Sequence, residues 1–437
     1  MIAPSLSPSR LAPPSALVSW TQNTAIFAVC ANLFSTALAN IGFLLFLLLF
    51  IWVCLSSHRR HLDTRNFPAG VAIAMAVYIG WQVVGLSYTQ APMSSAWSSL
   101  FSERKILYIL PLALIFSDEA PKRRFLIAFL LTCAAGLLVS FALKMPFVQE
   151  AMASGASLQS VVRSGAPLTP DNVFRSYATQ SMAFAMGTFL ALWFAAHQGK
   201  RVWRVGLGLL AIAFAANIAM VTPGRSGYVV FLVLVVWWFA MWRGFKGVLL
   251  GALAALVIGL LAYNLSASVQ SRVNMGITET QNFSTAPQET SLGRRMLMVQ
   301  TTLGMIAERP LLGVGTGSFK QSFSAIAAEK YTGWRAIAFD DPHNQYLFIA
   351  TENGLIGLLA FLFMMAMILK YCLRSGSVYG KMAAGCLLAW CATSLFSGHF
   401  RTFPEGHMIA FIVGMLMVSR SPDDRPAASA PHEGAAA

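Results

Sequence analysis

Long apolar runs with almost no charge inside them decide what this chain can fold into. FLLLFIWVCL (46–55), FLIAFLLTCAAGLLVSFAL (125–143) and VVFLVLVVWWFAMW (229–242) are each long enough or apolar enough for a membrane-spanning helix. Only 11% of the 437 residues are Asp, Glu, Lys or Arg, against about 25% in soluble domains. So few charges could not cover the surface of a water-soluble fold of this length. The chain reads as an all-α polytopic membrane protein. The opening MIAPSLSPSRLAPPS has no basic cluster and no cleavage-type end, so no removed signal peptide is expected.

The hydropathy pattern predicts about twelve spans, at roughly 24–38, 41–55, 69–87, 106–117, 124–143, 179–196, 203–221, 226–242, 245–263, 345–370, 379–397 and 405–419. The 106–117 stretch is too short for a perpendicular crossing and reads as tilted or re-entrant. With the N-terminus in the cytoplasm, every short inside loop is basic: 59–65, 122–124, 200–204, 243–246 and 370–381. The positive-inside rule asks for this pattern, so both termini are expected inside. The formal charge of +14 then belongs to loops that set orientation, and a nucleic-acid partner is not expected.

This gives a cytoplasmic segment 1–23, nine spans over 24–263 with a periplasmic loop near 144–178, and a large periplasmic loop at 264–344. Spans ten to twelve occupy 345–419. The tail 420–437 is polar, Ala/Pro-rich and expected to be disordered. No internal repeat is visible. Within the large loop, SLGRRMLMVQTTLGMIAE (291–308) has apolar residues at helical spacing, and ERPLLGVGTGSF breaks it with Pro and Gly. It reads as an amphipathic helix on or near the membrane. The six cysteines lie in or beside apolar segments with no CxxC, so neither a disulfide framework nor a zinc site is expected.

Where the large loop re-enters the membrane, DDPHNQYLFIATENGLIGLLAF (340–361) sets ionisable groups against an apolar run. Asp341 suits an N-cap, Pro342 the first helical position, and His343 the first turn. A helix N-terminus disfavours a cation and so favours a neutral imidazole, which a general base must be; Asp340 and Asp341 oppose this. His343 is thus either a base or a residue of the interfacial helix start. Glu352 lies two and a half turns on, pointing away from His343 and about 13 Å along the axis. It is either a functional intramembrane carboxylate or a hydrogen-bonding group between helices. Gly354 and Gly357 suit close helix packing better than phosphate binding.

Two more features share that membrane face. In VTPGRSGYVVFL (221–232), Arg225 opens a span, where a cation needs an anion to justify it. It either binds one or snorkels to lipid headgroups. Arg294 and Arg295 stand about 100° apart on the loop helix, so one of them easily faces a given site; a basic face on anionic lipid is the alternative. A base and two or three arginines at one boundary suit a substrate with a lipid tail, a diphosphate and a polar group to transfer. No DxD or His/Cys cluster offers a metal site, and arginine can carry that charge. In the last outside turn, SGHFRTFPEGH, His399, Arg401 and Glu405 could line the same site. Arg163 and Arg175 in the first long loop could meet acidic or phosphorylated sugars.

The stretch HNQYLFIATENGLIGLLAF resembles the O-antigen ligase/polymerase superfamily of bacterial membrane glycosyltransferases. Its pattern H-N-x-Y-L, then E-x-G-L-x-G, is matched by His343, Asn344, Tyr346, Leu347, Glu352, Gly354, Leu355 and Gly357. TPGRSGY is similar to the family's T-x-x-R-[ST] turn, which places its arginine at Arg225. The 291–319 block is similar to the segment with Ser, Arg and P-L-L-G-x-G, which fits Arg295 best and Arg294 second. Val299 stands where the family often has Trp. The resemblance covers 222–361.

The resemblance implies a GT-C-type fold and metal-independent, inverting transfer from undecaprenyl pyrophosphate on the periplasmic face of the inner membrane. No cofactor is implied. His343 would be the base that activates the acceptor hydroxyl. Arg225 and Arg295 would bind the donor diphosphate, with Arg294, Asn344, Tyr346 and Arg401 as further substrate contacts; Asp341, Glu352, Gly354 and Gly357 would be structural. The span count, the large loop before His343 and the lack of a large C-terminal domain favour an O-antigen ligase, with lipid-linked O-antigen as donor and lipid A–core as acceptor. A polymerase joining lipid-linked repeats comes next, then a protein O-oligosaccharyltransferase. A twelve-span transporter is the non-enzyme alternative, against which stand the missing repeat and the clustering on one face.

Overall fold

The computed structural model describes residues 15–153, 168–222, 224–281, 290–374 and 376–418. Arg163, Pro223, most of the expected N-terminal segment and the expected tail lie outside them. Among the described residues the chain forms seventeen α-helices and no strand. In order they are α1 (Ala16–Ala31), α2 (Thr36–Leu55), α3 (Ala69–Gly85), α4 (Met93–Ser102), α5 (Ile109–Ile115), α6 (Glu119–Leu143), α7 (Pro146–Ala153), α8 (Tyr177–Ala196) and α9 (Arg201–Met220). Then come α10 (Arg225–Arg243), α11 (Phe245–Leu265), α12 (Ala267–Gln281), α13 (Ser291–Glu308), α14 (Phe319–Lys330), α15 (Gln345–Arg374), α16 (Val378–Thr393) and α17 (Phe403–Leu416).

Among the described residues, eight helices are long and apolar enough to cross a membrane: α2, α3, α6, α8, α9, α10, α11 and α15. This is an all-α membrane protein. The other four expected spans fall on shorter helices, α1 and α16 of 16 residues, α5 of 7 and α17 of 14. At 1.5 Å per residue, 16 residues reach about 24 Å, less than a hydrocarbon core of about 30 Å. The 106–117 stretch is a 3₁₀ turn, Glu103–Tyr108, running into α5.

α8 is the central helix, with 78% of its apolar window buried, whereas α11 has 6% and faces outward. α8 packs against α6, α9 and α10, and α10 packs on to α11 and α16. α17 is buried along its length and lies against α5 and α16. α3 runs along α15.

α15 is broken. Gly354 has φ 66° and ψ −174°, a conformation open in practice only to glycine. The break frees backbone groups that lipid cannot satisfy, and the chain supplies partners from elsewhere. Val314 N–H donates to the Thr351 carbonyl at 2.9 Å, Gly315 N–H to that of Glu352 at 2.9 Å, and the Trp81 indole to that of Asn353 at 2.8 Å. In return Leu355 N–H donates to the Pro310 carbonyl at 2.8 Å. The PLLGVGTGS segment is therefore pressed backbone to backbone on the break, and a Cβ at Gly354 would overlap the Leu311 carbonyl. Pro310 and the glycines end α13 and build this clip.

Candidate active site

The first arm of the site is the turn before α10. Asn217 Oδ1 accepts from Thr222 Oγ1 at 2.7 Å, Gln180 Nε2 donates to Thr222 Oγ1 at 3.1 Å, and Asn217 Nδ2 donates to Ser140 Oγ at 2.8 Å. This buried network ties the turn to α6, α8 and α9. Gly224 and Gly227 lie so close to Ser181 that a Cβ at either would overlap it. The absence of side chains at these two positions lets α10 start directly on α8. Arg225 is the first residue of α10 and its N-cap Gly224 gives no side-chain bond.

α13 supplies the second arm. Thr290 caps it, its Oγ1 accepting from Gly293 N–H at 3.0 Å. Arg295 is half-buried and lies beside Arg225 and Tyr177. Burial, then the charge of Arg225, holds its pKa below the usual arginine value, while Tyr177 acts the other way. Arg294 is exposed, with its guanidinium 5.7 Å from the Phe339 ring. Of the two, Arg295 turns toward Arg225. Among the described residues no carboxylate pairs with Arg225 or Arg295.

His343 is the third arm. It is the one non-glycine residue with positive φ, 52°, among those described, a conformation uncommon for L-residues outside special sites. Asp341 holds it there by accepting the His343 N–H at 2.6 Å. The expectation that Asp341 caps the helix is corrected: Asn344 does so, its Oδ1 accepting from Tyr346 N–H and Leu347 N–H at 3.0 Å each. The left-handed turn at His343 places Pro342 and His343 ahead of the helix, and α15 begins at Gln345. Burial lowers the His343 pKa; Asp341 raises it, and Arg295 and Arg294 lower it again. The net shift is downward, so the imidazole is neutral near pH 7 and free to accept a proton.

Behind His343 lies the turn 394–402. Arg401 Nη1 sits 3.3 Å from Asp341 Oδ2, its Nε lies 3.9 Å from Glu103, and its guanidinium stacks 3.5 Å from the Phe348 ring. Lys105 Nζ donates to the Arg401 and Thr402 carbonyls. The Arg401 charge is thus met within the protein, and its geometry is that of a brace on Asp341 more than of a substrate contact. His399 is buried, with Nε2 at 2.8 Å from Ser226 Oγ. Glu405 is buried, with its carboxylate on Ser176 and Thr179. Arg175 stacks over Phe403 at 4.9 Å near Glu405.

The remaining candidates are engaged internally. Asn344 Nδ2 donates to the Leu395 carbonyl at 3.1 Å, and Tyr346 Oη to that of Cys391 at 2.7 Å. The first ties the start of α15 to the 394–402 turn and the second ties α15 to α16, so neither is presented as a substrate contact. Glu352 is buried and accepts from Phe319 N–H and Ser99 Oγ, at 3.2 Å each. It anchors the start of α14. Gly357 lies against Trp81.

Sequence reasoning missed Glu103, Lys105, Tyr177 and Ser226. Each is an ordinary residue of its own segment, and its role comes from contacts far along the chain. Ser226 carried a weak signal, as the residue after Arg225 in the T-x-x-R-[ST] turn.

An apolar crevice of about 360 Å³ runs between α8, α10 and α11, lined by Phe189, Phe231, Leu234, Trp238, Phe239 and Ile258 among others. It opens along α10, the helix that presents Arg225 at its end.

An uncharacterized protein of Haemophilus influenzae (strain ATCC 51907 / DSM 11121 / KW20 / Rd) is 24% identical over 269 residues, which is 59% of this chain and 61% of that protein. Residues 210–362 match the family described as O-antigen ligase, a stretch that holds Arg225, Arg294, Arg295, His343 and Glu352 and stops short of the 394–402 turn. Over residues 210–362 this chain is similar to the O-antigen ligase family.

Proposed function

We propose that this protein is an O-antigen ligase. It transfers a glycan from a polyprenyl diphosphate to a sugar hydroxyl of lipid A–core, on the periplasmic face of the bacterial inner membrane. One observation carries the reading: Arg225 and Arg295, far apart in sequence, stand together with no carboxylate partner among the described residues, beside a half-buried and neutral His343. Two guanidiniums side by side repel, and a diphosphate is the ligand that turns the repulsion into attraction.

In this reading Arg225 and Arg295 grip the diphosphate and offset its charge as the glycosidic bond breaks. His343 takes the proton of the acceptor hydroxyl as that oxygen attacks the anomeric carbon from the opposite side, which inverts the configuration. Asp341 stabilises the imidazolium so formed. The apolar crevice along α10 suits the lipid tail. The half-buried Arg295 takes the part left open between it and Arg294, and Arg294 lies at the rim.

The test is a ligation assay with purified protein, undecaprenyl-diphosphate glycan and lipid A–core in the presence of EDTA. A core-linked ladder from wild type and none from His343→Ala supports the reading. Lengthening of the lipid-linked glycan with bare core would make the protein a polymerase. Equal activity of the His343→Ala variant would remove the base role.

A further inference from the structure

The two ends of the site are carried by different parts of the chain. Arg225 opens α10, and His343 precedes α15. A continuous series of contacts joins the two ends, and His399 is its middle link. Ser226, the residue after Arg225, meets His399 Nε2 at 2.8 Å across 173 residues of sequence. His399 sits in the turn whose Gly398 lies directly against Asp341 and whose Arg401 holds Asp341 at 3.3 Å. Asp341 in turn holds His343 at 2.6 Å. The turn is itself fixed, since the Arg401 and Thr402 N–H groups both donate to the Gly398 carbonyl and Thr402 Oγ1 donates to the His399 carbonyl.

Resting on the reading that Arg225 binds the donor diphosphate, we propose that His399 is a positioning residue: it locks the first turn of α10, and with it Arg225, at a fixed distance from His343. His399 is 3% exposed, its Nδ1 is unbonded, and the Ser226 bond is its one side-chain hydrogen bond among the described residues. Burial keeps the ring neutral, with Glu405 and Asp341 acting against that and Arg295 and His343 with it. A neutral ring keeps a single donor or acceptor toward Ser226 and adds no third cation to the pair of arginines. The segment lies beyond the residues that match the family, so the link belongs to the structure and not to the matched stretch.

The experiment measures binding of farnesyl diphosphate to the full-length protein in detergent, with melting temperature as the control for folding. Arg225→Ala, Ser226→Ala, His399→Ala, His399→Gln and the Ser226→Ala/His399→Ala double variant are compared with wild type. Ser226→Ala and His399→Ala are each expected to weaken binding by about tenfold, and the double variant by no more than either, because both remove one link. His399→Gln, whose amide reaches the Nε2 position, is expected to bind within about threefold of wild type. A residue that only filled space would show no such rescue by Gln and no coupling to Ser226.

Full affinity in Ser226→Ala, or additive losses in the double variant, would overturn the proposal while Arg225→Ala still lost binding and left the diphosphate reading standing. Equal binding by wild type and Arg225→Ala would overturn both. If His399→Ala fails to fold, Ser226→Ala against His399→Gln decides: weakened binding in the first and near-native binding in the second are required.

Discussion

Asp341 takes the His343 backbone N–H on one carboxylate oxygen, at 2.6 Å, and the Arg401 guanidinium on the other, at 3.3 Å. One side chain therefore sets both the backbone shape and the charge environment of the candidate base. Its charge raises the His343 pKa against burial and the two arginines. Asp341→Asn keeps an oxygen for the N–H and removes the charge, so the His343 pKa falls further. The base works only when neutral, so activity is lost as pH falls through that pKa. The acid limb of the wild-type pH–rate profile is expected below pH 6.5, and in Asp341→Asn it moves to lower pH. The plateau rate drops by about tenfold as the base weakens. An unmoved acid limb would separate Asp341 from the titration.

The left-handed backbone at His343 gives a second prediction. Glycine adopts φ 52° without cost, whereas other residues pay about 1 kcal/mol or more in that region. His343→Gly is expected to melt at or above the temperature of His343→Ala, yet both lose turnover by 10² or more, the usual share of a general base. Thermal unfolding in detergent alongside the ligation assay checks this. A His343→Gly protein that is less stable than His343→Ala would mean that the imidazole, not the turn, carries the local stability.

The membrane class and the helices were legible in the sequence because hydropathy is a local property. α2, α6, α10 and α11 each coincide with an apolar run read directly from the chain. The break at Gly354 was not, since one glycine in an apolar run looks the same whether it eases helix packing or interrupts the helix. What forces the interruption is the 310–318 segment laid across it. Asp341 looked like a cap because Asp–Pro is a common helix start; the left-handed His343 moves the start to Asn344. Arg401 looked like a substrate contact because its partners, Asp341 and Glu103, lie 60 or more residues away in sequence. Arg225, Arg295 and His343 stood out because motif and composition both mark a cation or a base at an apolar boundary. Their assembly depends on turns and helix packing that no single segment records.

Gly354→Ala is expected to be among the most damaging small changes in the chain. It imposes a Cβ on φ 66° and drives it into the Leu311 carbonyl, for a cost of about 3 kcal/mol or more. Gly259→Ala in α11, where nothing lies near the added carbon, is expected to be neutral or slightly stabilising, as Ala outranks Gly in helices by about 1 kcal/mol. Expression level and melting temperature of the pair distinguish them. Similar behaviour of both would show that the break in α15 is not required for the fold.

The two half-buried arginines and the exposed one make the last prediction. A diphosphate held by planar guanidinium forks loses geometry, not charge, when arginine becomes lysine. Arg225→Lys and Arg295→Lys are each expected to raise the donor KM or lower kcat/KM by roughly 10- to 100-fold, the worth of about 1.5–3 kcal/mol per charged hydrogen-bond set. Arg294 is exposed and rests over Phe339, so Arg294→Lys is expected to stay within about threefold of wild type, as for a rim charge. Raising salt should widen none of these gaps if the contacts are direct, and should narrow the Arg294 effect, because exposed charges are screened within a Debye length of about 10 Å at 0.1 M. Steady-state kinetics on the three variants at two ionic strengths reads all of this. A large loss at Arg294 with none at Arg295 would reverse their assignment and turn the opposite face of α13 toward the donor.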